Sequence, residues 1–301
     1  MGLIRDLQGF MVQRSAPWTA RYGDALYFSG TELPEPASVR VPTRRGEVRC
    51  FVYRPADAAD DLAAYVHFHG GAFLMRYPEM DDFWARIVCA EVGAVVVNVD
   101  YDVAPQRRFP VAHEQAHDVA AWLARNPDAL GIDPNRLVLG GFSAGGGLAA
   151  SAALQARDQG SFQPVGQLLG VPSLDVAESP ASKRAAVGNP MISTDLLKLV
   201  RATYFKNKKA RTTPYASPVR ALDLRGLPPA LVISAENDRL RAEADLYAER
   251  LAGAGIAVEH HVVAGADHYF LDRGRDKARL TLDLMVDWLT ARFSTAGDPR
   301  H

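Results

Sequence analysis

Cysteine is nearly missing from this 301-residue chain: Cys50 and Cys89 are the two that occur. They fall in a strand-like and a helix-like stretch, and no Cys-x-x-Cys spacing is present. That excludes a disulfide framework and a thiolate metal site, and it predicts free buried thiols in a reducing compartment. An excess of positive charge is also lacking. Lys and Arg number 34 against 35 Asp and Glu, a formal net charge of −1, whereas a nucleic-acid partner needs a basic patch or stripe. One local cluster, Lys206-Asn-Lys-Lys-Ala-Arg211, follows a predicted helix and reads as its solvated C-terminal end, where cations suit the helix dipole. No window is long and apolar enough for a membrane span. The opening Met1-Gly-Leu-Ile-Arg-Asp-Leu-Gln is charged too early for a signal peptide. These absences predict a cytoplasmic protein with neither nucleic acid nor membrane as a partner, and with no metal.

What is present is ordinary globular composition, 48% hydrophobic and 23% charged, enough for one large α/β domain. Up to Pro36 the chain is mixed, with Trp18, Tyr22, Tyr27 and Phe28 irregularly spaced, as expected of helical segments that pack over something else. From residue 37 strand-like runs recur at 38–41, 48–53, 64–68, 94–101, 137–142, 167–171, 230–235 and 258–263. Helical patterns lie between the later ones, at 82–92, 112–125, 144–159, 242–254 and 277–292. Near-continuous apolar runs such as Val95-Val-Val97 and Leu231-Val-Ile233 indicate a mostly parallel sheet covered on both faces. The first two strands have no helix between them and predict an antiparallel hairpin at one edge. The rhythm lapses between Leu174 and Pro214, where a helix over 194–205 is expected, capped by Ser193 or Thr194. An insertion at about 175–213, together with residues 1–36, suits a lid over the strand C-terminal ends of a domain spanning 37–301.

The most informative stretch is Leu137-Val-Leu-Gly-Gly-Phe-Ser-Ala-Gly-Gly-Gly147, an apolar strand followed by an alanine-rich helix. It holds Gly141-Phe-Ser143-Ala-Gly145, a G-x-S-x-G pattern in a strand–turn–helix context. Such a turn strains the serine backbone and needs glycines where a side chain would collide with neighbouring backbone. The pattern alone also describes a plain tight turn, and the rest of the chain decides between them. A serine nucleophile needs a base, a group to orient it, and donors for the oxyanion. His69-Gly70-Gly71-Ala72 follows one strand, and the N–H groups of Gly70, Gly71 and Ala144 are the candidate oxyanion hole. Asp238 follows a second strand and His268 the last, giving the chain order Ser143, Asp238, His268. Asp267 is adjacent to His268 and poorly placed to orient it. Glu236 reads as a secondary acid or a turn-stabilising group. His67, His260 and His261 read as strand residues without a catalytic role.

With these residues in view, the chain resembles the hormone-sensitive-lipase-like family of α/β-hydrolases over nearly everything after residue 45. Besides His69–Ala72 and Gly141–Gly145, it carries Asp100-Tyr-Asp-Val-Ala-Pro-Gln-Arg-Arg-Phe-Pro110, Pro214-Tyr-Ala-Ser-Pro218 and Leu227-Pro-Pro-Ala-Leu-Val232, similar to family segments. The resemblance implies an α/β-hydrolase fold with an eight-stranded sheet and a cap of N-terminal and inserted helices. It also implies cofactor-free carboxylesterase activity on short to medium acyl esters; members often dimerise, so a homodimer is among the implied assemblies. Three departures stand out. Ala72 replaces a glycine, Phe142 replaces an aspartate common before the nucleophile, and Asp102 and Gln106 replace arginine and glutamate, which puts the family's ion pairing there in doubt. Other readings use the same triad: an amidase, a peptidase or an acyltransferase. A non-catalytic receptor is a further reading, against which the presence of His268 counts. A lid near Trp18, Tyr204 and Phe205 predicts a mostly apolar substrate pocket.

Overall fold

The computed structural model describes residues 2–19, 24–56, 58 and 60–296. Tyr22 lies outside the described residues. The strand-like runs become β1 (Ala37–Thr43), β2 (Gly46–Tyr53), β3 (Leu62–Phe68), β4 (Val95–Asp100), β5 (Ile132–Phe142), β6 (Gly166–Gly170), β7 (Ala230–Ala235) and β8 (Val258–Val263). They form one eight-stranded sheet in the order β1-β2-β4-β3-β5-β6-β7-β8. β1 and β2 make the expected antiparallel edge hairpin, and β2 also runs antiparallel to β4. Every other pairing is parallel.

The two-residue side-chain period of strands splits the apolar runs between two cores. Val66, Val97 and Leu139 face α3 (Val111–Arg125), α4 (Ala144–Gln159) and α6 (Arg241–Gly253). Tyr65, Val96, Val138 and Leu231 face α2 (Asp82–Ile87) and α7 (Arg275–Ala296). Strands buried on both sides have no polar face to offer, which is why all six residues of β4 are buried. The helix expected over 82–92 is α-helical only to Ile87. Val88–Val92 widen into a π-helical turn, ended by Gly93 in the left-handed conformation at φ 71°. Cys50 and Cys89 are buried free thiols, as expected.

No strand lies between β6 and β7; the chain there runs across the strand C-terminal ends and holds α5 (Thr194–Thr203). Ser193 caps α5 by accepting a hydrogen bond from the Leu196 N–H at 3.1 Å. The N-terminal region is a single helix, α1 (Gly2–Thr19), packed against α5. The aromatic packing expected of this region fails at Trp18, which is 80% exposed because it lies on the side of α1 facing away from the molecule. Tyr204 and Phe205 are buried, stacked on or edge-on to Phe73. Around Asp102 the ion pairing is rebuilt rather than lost. Arg76, from the loop after β3, bonds Asp100 at 2.6 Å and Asp102 at 3.1 Å, and Gln115 holds Asp102 from both its backbone and its side chain. Gln106 bonds Gln13 of α1.

Candidate active site

Four parallel strands deliver the candidate residues to one sheet edge. Ser143 directly follows β5 at the start of α4, His69 directly follows β3, and Asp238 and His268 lie on the loops after β7 and β8. The serine is strained, at φ 56° and ψ −117°. Its N–H donates to Gly170 O at 2.8 Å, and its carbonyl accepts from Ser173 N at 3.0 Å, so the turn is anchored to the end of β6 and to the segment that follows it. The flanking glycines are required by crowding. A Cβ on Gly145 would lie 1.8 Å from Phe68 O, and one on Gly141 would lie 2.3 Å from the same oxygen.

His268 Nε2 is 2.8 Å from Ser143 Oγ, and His268 Nδ1 is 2.8 Å from Asp238 Oδ2. Asp238 and His268 are buried, and the second oxygen of Asp238 accepts from the Leu240 N–H at 3.0 Å. Asp238 is thus held by its own loop while it faces the imidazole. Asp267 points elsewhere, accepting from His268 N at 2.7 Å and from Met191 N at 2.8 Å, and so ties the 174–213 segment to the histidine loop. Glu236 accepts from Gly265 N and stabilises that turn. His260 contacts Ser234 and Asp245, away from Ser143.

The N–H groups of the glycine loop after β3 differ in their surroundings. The Gly70 N–H donates to Asp81 Oδ2 at 3.3 Å. Gly70 also lines the space above Ser143. Ala72, absent from the expected set, lines both cavities that open on Ser143, and its φ of 56° turns the chain left-handed immediately after Gly71 at φ 109°. The Ala144 N–H heads α4, where helix donors lack intrahelical partners.

Buried polar groups behind the loop fix its shape. His69 stacks on Tyr101 at 4.2 Å, and the Tyr101 hydroxyl donates to His69 O at 2.7 Å. His69 Nδ1 lies 2.7 Å from Gly70 O, and burial lowers the His69 pKa to about 4, so the ring is neutral and donates there. His67, expected to be merely packed, is buried 2.9 Å from Asp81 Oδ2. Tyr101 stands in the Asp100–Pro110 segment visible in the sequence. Asp81 carries no such signal, because its partners come from β3 and the loop after it. Phe142 is buried edge-on to His67 and Phe270, an aromatic wall beneath the serine.

Ser143 lies where two cavities meet. One, of about 340 Å³, is lined by Gly71, Phe142, His268 and Tyr269 among others. The other, of about 40 Å³, is enclosed by Phe73, Val176, Leu196, Val200 and Leu240. Ile192 and Leu196 border both. Beside the smaller one Lys183 is buried in an ion pair with Glu243, and desolvation lowers its pKa to about 8.

A family model described as the alpha/beta hydrolase fold matches residues 65–272. An arylesterase of Saccharolobus solfataricus is 31% identical over 250 residues, covering 82% of this chain and 81% of the relative. The carboxylesterase NlhH of Mycobacterium tuberculosis is 34% identical over 211 residues, covering 69% of this chain and 66% of the relative. The structure superposes on an esterase of Pyrobaculum calidifontis with a TM-score of 0.82 and 32% identity, over 97% of this chain and 93% of the other. With a serine elbow after β5 and a sheet of this order, the chain belongs to the α/β-hydrolase family, in its hormone-sensitive-lipase-like branch.

Proposed function

We propose that this protein is a serine carboxylesterase acting on esters of short to medium acyl chains. The observation that carries the reading is the continuous Asp238–His268–Ser143 chain of 2.8 Å contacts at the junction of the two cavities. Ser143 Oγ attacks the ester carbonyl while His268 Nε2 takes its proton. Asp238 fixes the ring so that Nδ1–H points at the carboxylate, and it stabilises the imidazolium that forms. The negative oxygen of the tetrahedral intermediate is held by the N–H groups of Gly71, Ala72 and Ala144, each such donor being worth about 10²–10³ in turnover. The imidazolium then protonates the departing alcohol, and water repeats the sequence on the acyl-serine.

Cavity size supports the chain-length preference. A water-sized group needs about 10–15 Å³ of such space, so an acyl chain seated in the smaller cavity has room for about three such groups, which leaves the 340 Å³ cavity to the alcohol half. In this reading α1 and the insertion at about 175–213, with α5, act as a cap, since Ile192, Leu196 and Val200 line the cavities at Ser143. The arylesterase and carboxylesterase relatives support ester chemistry. The buried thiols of Cys50 and Cys89 support a reducing, cytoplasmic setting. A fluorophosphonate probe tests the nucleophile directly: mass spectrometry is expected to find a single adduct on Ser143 and none on the Ser143→Ala protein. Equal labelling of the alanine variant would remove Ser143 from the role.

A further inference from the structure

Helix α1 presents its apolar residues on the side opposite to its packing. It meets the molecule through small residues: Gly9 and Ala16 are buried, and a methyl on Gly9 would already lie 3.4 Å from Thr203 and 3.7 Å from Leu74. At about 100° per residue, Leu3, Ile4, Leu7, Met11 and Trp18 form one stripe centred half a turn from Gly9. They are 87%, 64%, 59%, 63% and 80% exposed. A surface helix normally buries such a stripe, and a contiguous exposed one marks an interaction site.

Exposed cations lie within the stripe's arc and beside the start of α1. On α1 Arg14 is exposed within the arc of the stripe, whereas Asp6 is engaged by Arg108 at 2.8 Å. Beyond α5, Lys206, Lys208 and Lys209 are exposed, and the Lys206 ammonium lies beside Gly2 at the start of α1. Asp195 of α5 is paired with Lys198 at 2.9 Å. A second copy of the chain fits this surface poorly, because a two-fold contact would lay the same cations against themselves. A surface that is apolar beneath and anionic above matches both features. We propose that α1 docks on an anionic phospholipid surface. Leu3, Ile4, Leu7, Met11 and Trp18 enter the headgroup–acyl boundary, and Arg14 and the Lys206–Lys209 cluster meet the phosphates.

No helix among the described residues is long and apolar enough to cross a membrane, so α1 lies on the surface. In this proposal the basic cluster has a role beyond a solvated helix end, and the membrane surface is a partner that the sequence did not lead us to expect. Thr19, at the end of α1, lines the larger cavity, and α5, against which α1 packs, lines both. The inference is independent of the esterase reading.

The test is flotation of the whole protein with vesicles of phosphatidylcholine alone or mixed with phosphatidylglycerol. Leu7→Glu with Met11→Glu forms one variant, and Lys206→Glu with Lys208→Glu another. All four positions are exposed and outside the site, so turnover of a water-soluble ester is unchanged and reports the fold. The wild type is expected to float only with phosphatidylglycerol present, with a blue shift of tryptophan fluorescence as Trp18 leaves water. The Leu7/Met11 variant stays at the bottom, and the lysine variant binds about fivefold more weakly per cation removed. Absence of wild-type flotation with phosphatidylglycerol overturns the proposal, as does equal flotation of the Leu7/Met11 variant. So does a dimer that this variant dissolves, which would assign the stripe to a second copy.

Discussion

Ser143, Ala72 and Phe73 all adopt positive φ around the same cavity, at 56°, 56° and 58°. Left-handed backbone is costly for any residue with a Cβ and persists only where its surroundings impose it. At Ser143 the cost lifts the hydroxyl toward His268. At Ala72 the methyl has no such evident use, since in the proposed mechanism the N–H is the group that acts. Ala72→Gly is therefore expected to stabilise the protein by roughly 1 kcal/mol and raise its melting temperature by about 2 °C. Turnover should stay close to wild type. Calorimetry together with ester hydrolysis checks this, and a lower melting temperature with lost turnover would show that the methyl packs productively against the cavity.

At the scale of elements, the site is legible in the sequence where it is tied to strand ends. Ser143, His268 and Asp238 each follow an apolar run, and parallel strands bring such positions to one edge without further information. Gly70 against Ala72 is not legible in that way. Which peptide N–H faces the cavity depends on Asp81, which binds the Gly70 N–H from 11 residues away, and on the Tyr101 and His69 stack. The strand order was legible only at the β1–β2 hairpin, because a missing helix signals an antiparallel turn but nothing local places β4 between β2 and β3. Trp18 misled for a related reason. An aromatic in an otherwise mixed segment suggests burial, yet α1 packs through Gly9 and Ala16 and turns its bulky side outward.

For the whole molecule, the buried histidines set an acid limit on stability. His69 and His113 are fully enclosed, and burial lowers their pKa values to about 4 and about 3. In the unfolded chain a histidine gains its proton near pH ~6.5. Below that pH the unfolded state holds more protons than the folded one, so the contribution is fully present above pH ~6.5 and is lost as pH falls toward the folded values. For His69 alone this amounts to roughly 3 kcal/mol. Urea unfolding at a series of pH values is expected to show stability declining from pH ~6.5 downward, and a flat profile across that window would contradict neutral buried imidazoles.

The central claim, that one serine on an α/β-hydrolase sheet cleaves small esters, is tested most directly by hydrolysis of p-nitrophenyl esters from acetate to laurate, wild type beside Ser143→Ala. The account predicts turnover that is highest for the short chains and falls at least about 10⁴-fold in the alanine variant. Near-normal turnover by Ser143→Ala, or no turnover by the wild type on any chain length, would contradict it.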